Sequence, residues 1–337
     1  MNNHSVLVAR RIPEEGLEIL KAYCRKLEVY DGDRPIPRRT LLSLIRGKQG
    51  LLCCLTDKVD EKVMDASGRL KVISNYAVGY DNIDVNAASR RGIVVTNTPG
   101  VLTDATAELA WSLLFSTARR IVECDRFTRT GKFKGWDPMG FLGRDVHGKT
   151  LGIIGAGRIG TAFGLKSRGF NMKILYYDSL RNQVLEENLN ARKVKLSTLL
   201  RESDFVSVHV ALTEQTHHFF SVEQFEMMKP SAIFINTSRG KVVDEKALVR
   251  ALKSKSIAGA GVDVYEQEPE IEPELLRLES AVLSPHIGSA TVETRKRMAV
   301  MACSSLTAAL SGEKPANIVN PSGAKRRKDE GAVRRKR

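Results

Sequence analysis

Short apolar or β-branched runs recur along the chain, and the segments between them change rhythm. In the first hundred residues the runs are 6–9, 27–30, 51–55, 71–75 and 92–96. Between them lie 13–25, 37–46, 61–67 and 84–91, the second of which carries Leu41, Leu42, Leu44 and Ile45 at helical spacing. Strand-length runs alternating with helical segments predict a parallel sheet flanked by helices. After Thr98-Pro99-Gly100 the pattern changes. Residues 103–130 predict one long amphipathic helix, opened by Thr103 and Asp104 as cap candidates. A loop rich in glycine and aromatic residues follows at 131–143. A second series then predicts strands at 150–155, 172–178, 205–210, 232–237, 257–264 and 281–284, and a last helix at 291–310. The fold class is α/β, with two doubly wound parallel-sheet domains, the second a six-stranded dinucleotide fold. Two such sheets around a cleft would offer a ligand site.

The chain is 337 residues long, which is about two domains. No run of about 18 apolar residues interrupts it, so no membrane-spanning helix is expected. The start, Met1-Asn2-Asn3-His4, does not read as a signal peptide. The five cysteines are odd in number and lack Cys-x-x-Cys spacing, so neither a disulfide framework nor a metal site is expected, and a cytoplasmic location fits. His217 and His218 are adjacent without further ligands and read as surface or packing residues. The formal net charge is +14, of which residues 325–337 carry +6. That tail reads as a solvated extension, because no aromatic side chain interleaves its charges to stack on a base.

The strongest local signal is Gly155-Ala156-Gly157-Arg158-Ile159-Gly160. It ends an apolar strand and opens a helix, the context in which such a turn binds a dinucleotide. Gly155 permits the tight turn, Gly157 admits the pyrophosphate close to the backbone, and Gly160 allows helix and strand to pack closely. Asp178 ends the next strand, 18 residues beyond Gly160, where an acid meets the adenosine ribose hydroxyls. A carboxylate there disfavours a 2′-phosphate, so NAD is expected over NADP, with nearby Arg181 the one residue that weakens the argument. Three further polar residues follow strand ends: Arg239, Glu268 and His286. In an open parallel sheet, ligands sit at the carboxyl ends of strands, so these three can converge.

Five motifs together resemble the D-isomer-specific 2-hydroxyacid dehydrogenase family, over nearly all of residues 6–320. They are the run from Asn75 to Asp84, the glycine turn, Asn236-Thr237-Ser238-Arg239-Gly240, the run from Asp263 to Pro269, and Ser284-Pro285-His286-Ile287-Gly288-Ser289-Ala290. The run from Gly131 to Trp136, continuing through Gly143, is similar to the glyoxylate/hydroxypyruvate reductase branch. The resemblance implies a flavodoxin-like substrate-binding or lid domain (1–99 plus 291–320) and a Rossmann domain (100–290) that includes a dimerisation helix. Residues 321–337 are left as a basic tail. It implies reduction of glyoxylate or hydroxypyruvate with NADH, with His286 as general acid, Glu268 orienting it and Arg239 gripping the substrate carboxylate. Val78 and Gly79 would bind the same carboxylate through their N–H groups. Thr106, Arg158, Ile159, Asp178, Asp263 and Ser289 would touch the cofactor. The branch also implies a homodimer in which Trp136 of one subunit enters its partner's site. Other members are dehydrogenases of other D-2-hydroxy acids or NAD-sensing corepressors, and these stand as alternatives.

Overall fold

The computed structural model describes residues 2–321; the rest of the basic tail lies outside the described residues. The chain forms two compact units, Met1–Leu102 with Ala290–Arg337, and Thr103–Ser289. Helices and parallel strands make up both.

In the first unit the strands are β1 (Asn2–Val8), β2 (Cys24–Val29), β3 (Gly50–Cys53), β4 (Val72–Asn75) and β5 (Val94–Thr96). The helices between them are α1 (Glu14–Tyr23), α2 (Arg38–Leu44), α3 (Glu61–Ser67) and α4 (Val85–Arg90). All pairings are parallel, in the order β2-β1-β3-β4-β5. β3 and β4 are buried at every residue, so β3 reads as an unbroken apolar run rather than an alternating one, while β4 ends in the buried polar pair Ser74 and Asn75. Asp60 and Asp84 start α3 and α4 by accepting hydrogen bonds from the backbone N–H groups of Val63 and Ala87. The C-terminal helix, Val292–Ser311, belongs to this unit although it is far along the chain. It packs on α1, where Gly16 lies so close that an added Cβ would meet the Ala299 Cβ at 2.8 Å. The Ala302 carbonyl accepts a hydrogen bond from the Ser74 hydroxyl at the sheet.

The second unit opens with α5 (Thr103–Ala118) and α6 (Ile121–Arg129). Then come β6 (Thr150–Ile154), α7 (Arg158–Lys166), β7 (Lys173–Tyr177), α8 (Gln183–Leu189), β8 (Arg192–Lys193), α9 (Leu196–Glu202) and β9 (Phe205–Val208). α10 (Val222–Glu226), β10 (Ile233–Asn236), α11 (Glu245–Lys253), β11 (Gly259–Val262) and β12 (Ala281–Leu283) complete it. The sheet is parallel, in the order β12-β11-β10-β9-β6-β7-β8. β6 pairs with both β7 and β9, so the strand order reverses there, and the glycine turn leaves the sheet at that point.

Two sequence expectations are corrected here. The sheet has seven strands rather than six, because the exposed pair Arg192–Lys193 adds an edge strand on β7. The long helix at 103–130 is two helices, broken at Arg119-Arg120. Arg120 takes a left-handed φ of +55°. The Arg144 N–H bonds the Ala118 carbonyl at 2.8 Å, and an added Cβ on Gly143 would meet that carbonyl oxygen at 2.5 Å. A later loop thus takes the carbonyl that the helix would have used, and the Arg120 guanidinium sits 5.2 Å over the Phe141 ring of that loop. No helix among the described residues is long and apolar enough to cross a membrane.

Candidate active site

β10, β11 and β12 lie side by side, with Asn236 opposite Val262 and Val262 opposite Leu283. Arg239 is three residues past Asn236 and His286 three past Leu283, so parallel pairing puts both at one sheet edge. The loop leaving β11 carries Glu268 to the same place. His286 Nδ1 and Glu268 Oε2 are 2.8 Å apart, with 24% and 27% of the two side chains exposed. A carboxylate only accepts, so Nδ1 carries the hydrogen of this bond. The other Glu268 oxygen accepts the Tyr265 N–H at 3.0 Å. Burial pushes the Glu268 carboxyl up. The His286 hydrogen bond and charge, the Tyr265 N–H and the Arg239 guanidinium outweigh that, holding it below the usual carboxylate range. Glu268 is therefore a fixed negative charge behind the imidazole.

Asp263 builds the turn on which His286 stands. It is 1% exposed, and Oδ1 accepts from the Ser284 hydroxyl at 2.6 Å and the Ile287 N–H at 2.8 Å, while Oδ2 accepts from the Gly288 N–H at 2.8 Å. Its carbonyl also accepts the His286 N–H at 2.9 Å. These bonds hold His286 at φ +55°, a left-handed conformation that costs about 1–3 kcal/mol outside glycine. Burial nonetheless raises the Asp263 carboxyl above its ordinary value. An added Cβ on Gly288 would meet both Asp263 Oδ2 and Thr106 Cγ2 at 3.4 Å, so Thr106, Asp263 and Gly288 form one surface. Ser289 follows directly, half-buried.

Arg239 is held by its own turn. Its Nη1 donates to the Ser238 carbonyl at 2.9 Å, and Asn236 Nδ2 donates to the Arg239 carbonyl at 3.1 Å. Gly240 follows because nothing larger fits. A Cβ there would lie 1.9 Å from the Tyr265 carbonyl carbon. The loop of Arg239 and the loop of Glu268 thus touch backbone to backbone.

The dinucleotide turn has the shape its glycines predict. Gly155 has φ +87°, and an added Cβ on Gly160 would lie 2.1 Å from the Gly155 carbonyl oxygen. Space beside Gly157 is open, and Arg158 and Ile159 begin α7 next to it. Asp178 Oδ2 accepts the Ala156 N–H at 2.7 Å, and Oδ1 accepts from the Leu180 N–H at 3.1 Å. The carboxylate is therefore anchored against the turn. Arg181 Nε donates to Glu186 Oε2 at 2.6 Å. Open space at the second glycine, a helix start and an anchored acid fit a dinucleotide.

In the first unit, Asn97 Nδ2 donates to the Val78 carbonyl at 2.8 Å and Asn75 Nδ2 to the Gly79 carbonyl at 2.7 Å. Both peptide planes are fixed by these side chains. Trp136 is 85% exposed on the loop after α6, with Phe133, Met139 and Leu142 also exposed nearby in sequence.

Three residues missed at the level of sequence support the Glu268 loop. His218 Nε2 lies 2.9 Å from Glu266 Oε1, and the Glu266 N–H donates to Glu245 Oε2 at 2.8 Å. A histidine beside a histidine and an acid at a helix start are both ordinary in composition, so no local signal marked them.

The family model for the D-isomer specific 2-hydroxyacid dehydrogenase NAD-binding domain matches residues 111–288. The chain belongs to the D-isomer-specific 2-hydroxyacid dehydrogenase family. It is 50% identical over 319 residues to the glyoxylate reductase of Thermococcus litoralis, covering 94% of this chain and 96% of the relative. Against the glyoxylate reductase of Thermococcus kodakarensis it is 51% identical over 327 residues, covering 96% and 98%. Among solved structures it resembles an NADPH-dependent glyoxylate/hydroxypyruvate reductase from Sinorhizobium meliloti in complex with NADP and malonate. That match has TM-score 0.84 and 31% identity, with 96% of this chain and 98% of the other covered. As a family member the chain is an oxidoreductase with an NAD(P)-binding domain.

Proposed function

We propose that this dehydrogenase reduces glyoxylate, and hydroxypyruvate as a second substrate, to the 2-hydroxy acid with NADH. The observation that carries the reading is the His286–Glu268 contact at 2.8 Å on the sheet edge that also presents Arg239. The names of relatives about half identical to this chain support glyoxylate as the substrate.

A bound nicotinamide supplies the hydride. The protein supplies orientation and a proton. Arg239 presents a planar donor fork that suits a carboxylate, and gripping it points the keto oxygen at a fixed site. His286, charged by a proton on Nε2, donates it to that oxygen as negative charge develops there. The Glu268 carboxylate accepts from Nδ1 and stops the ring from turning. In the reverse direction the same nitrogen takes the proton back. Gly155, Gly157, Gly160, Arg158 and Ile159 hold the pyrophosphate. Thr106, Asp263 and Ser289 hold the nicotinamide end, Asp263 Oδ2 keeping acceptor capacity beyond its bond to Gly288.

The preference for NADH follows from Asp178, whose anchored charge repels a 2′-phosphate, and from Glu186, which engages Arg181. The experiment is a panel of glyoxylate, hydroxypyruvate and pyruvate assayed at 340 nm with NADH and NADPH in parallel. NADH is expected to give a kcat/KM at least about tenfold higher, the equivalent of 1.4 kcal/mol. Asp178→Ser narrows that ratio. A higher kcat/KM with NADPH overturns the cofactor reading, and no oxidation of either cofactor overturns the substrate reading. The exposed loop of Phe133, Trp136, Met139 and Leu142 supports a homodimer in which Trp136 reaches the partner's site. Light scattering at micromolar concentration is expected to give the dimer mass; a monomer mass would contradict it.

A further inference from the structure

Glu245 opens α11 and is 8% exposed. It spends its carboxylate on backbone. Oε2 accepts the Glu266 N–H at 2.8 Å and Oε1 accepts the Glu272 N–H at 2.8 Å. Those two amides bracket residues 267–271, the stretch that contains Glu268. The pairing is partly reciprocal, since the Glu245 N–H donates to Glu266 Oε2 at 3.2 Å. The remaining Glu266 oxygen lies against His218 Nε2 at 2.9 Å, which ties the same loop to the segment before α10. Charge-assisted bonds of this kind are roughly twice as strong as neutral ones, and stronger again where water is excluded. Without the carboxylate, two part-buried N–H donors would lose their acceptors. On its far side the loop has the contact that matters chemically, Glu268 to His286.

We propose that Glu245 is a positioning residue that clamps both ends of the 266–272 loop and so fixes the separation between Glu268 and His286. The inference rests on the reading of that pair as the acid machinery. Glu245 touches neither substrate nor His286 in this role; it acts through Glu268. Its carboxylate is needed as a double acceptor, which distinguishes it from an acid that merely favours a helix start. A glutamine keeps the shape and one acceptor oxygen, but turns an N–H₂ group toward one of the two N–H donors.

The test compares Glu245→Gln, Glu268→Gln and the unaltered enzyme. In Glu245→Gln, kcat for glyoxylate is expected to fall about tenfold while its KM moves less than about twofold, because Arg239 is held by a separate turn. The far-downfield proton resonance of a histidine N–H bonded to a carboxylate should be present in the unaltered enzyme and broadened or lost in both variants. A structural role alone would lower the melting temperature and leave kcat and that resonance intact; this outcome overturns the clamp. If Glu268→Gln also leaves kcat unchanged, the acid reading itself has failed. If Glu268→Gln lowers kcat and Glu245→Gln does not, only the clamp has failed. Amide exchange in the unaltered enzyme needs no variant. The Glu266 and Glu272 amides should exchange at least about 10²-fold more slowly than those at 267 and 268. Equal, fast exchange across the loop would also overturn the clamp.

Discussion

The variant His286→Asn is expected to reduce glyoxylate about 10²- to 10⁴-fold more slowly at saturating substrate, the usual contribution of a positioned acid. Asparagine is the informative replacement because of the backbone. His286 stands at φ +55°, and asparagine accepts that conformation more readily than most residues. An alanine there would mix strain into the result and could release the turn that Asp263 holds. With asparagine the Asp263 bonds to Ile287 and Gly288 can persist, so cofactor binding, read by fluorescence titration, should be nearly unchanged. The KM for the keto acid should change little, since the turn that holds Arg239 is not altered. A loss of less than about tenfold would show that another group delivers the proton.

The second large effect is expected at a residue with no side chain. In Gly240→Ala the new methyl would lie 1.9 Å from the Tyr265 carbonyl carbon and oxygen and 2.5 Å from the Glu266 nitrogen. All three are backbone atoms, which cannot swing aside as the end of a long side chain can. The two loops must separate, and they are the loops that present Arg239 and Glu268. Overpacking of this kind costs about 1–3 kcal/mol of stability, and more where backbone must move. Misplacing two of the three chemical groups should lower kcat/KM by about 10²-fold or more. Gly169→Ala is the matched control: beyond its own local backbone and chain neighbours, nothing lies within 4 Å of the Cβ it would gain. Denaturant midpoints and kcat/KM measured on both variants decide the matter. If Gly240→Ala matches Gly169→Ala on both readouts, the backbone contact does not set the site.

Much of the fold was legible because burial leaves a pattern. Strands such as β3 and β10 are covered on both faces and appear as apolar runs, broken in β10 only at its last residue, Asn236, and a glycine turn between a strand and a helix has few other uses. β8 was missed because its two residues, Arg192 and Lys193, are exposed and charged, and only edge pairing with Leu175 and Tyr176 makes them a strand. The break at Arg120 was missed for a different reason. Helical rhythm continues across it, and the carbonyl that ends α5 is claimed by Arg144, more than twenty residues away. At the site, Arg239, Glu268 and His286 follow strand ends and could be placed from strand order alone. What the sequence could not display is how carboxylates are spent on backbone. Asp263, Asp178 and Glu245 each accept hydrogen bonds from N–H groups brought close by the fold, and an amide donor has no residue type to betray it.

Hydride transfer from NADH directly onto the keto carbon of a small 2-keto acid, with His286 supplying the proton, leaves an isotopic record in the product. The most direct measurement uses NADH deuterated at C4 in the transferred position, glyoxylate, and mass analysis of the glycolate formed in ordinary water. The account predicts glycolate with one deuterium on carbon, formed one-for-one with the NADH consumed, and little turnover in His286→Asn under the same conditions. Glycolate carrying only solvent hydrogen at that carbon, or intact NADH after prolonged incubation with glyoxylate, would contradict it.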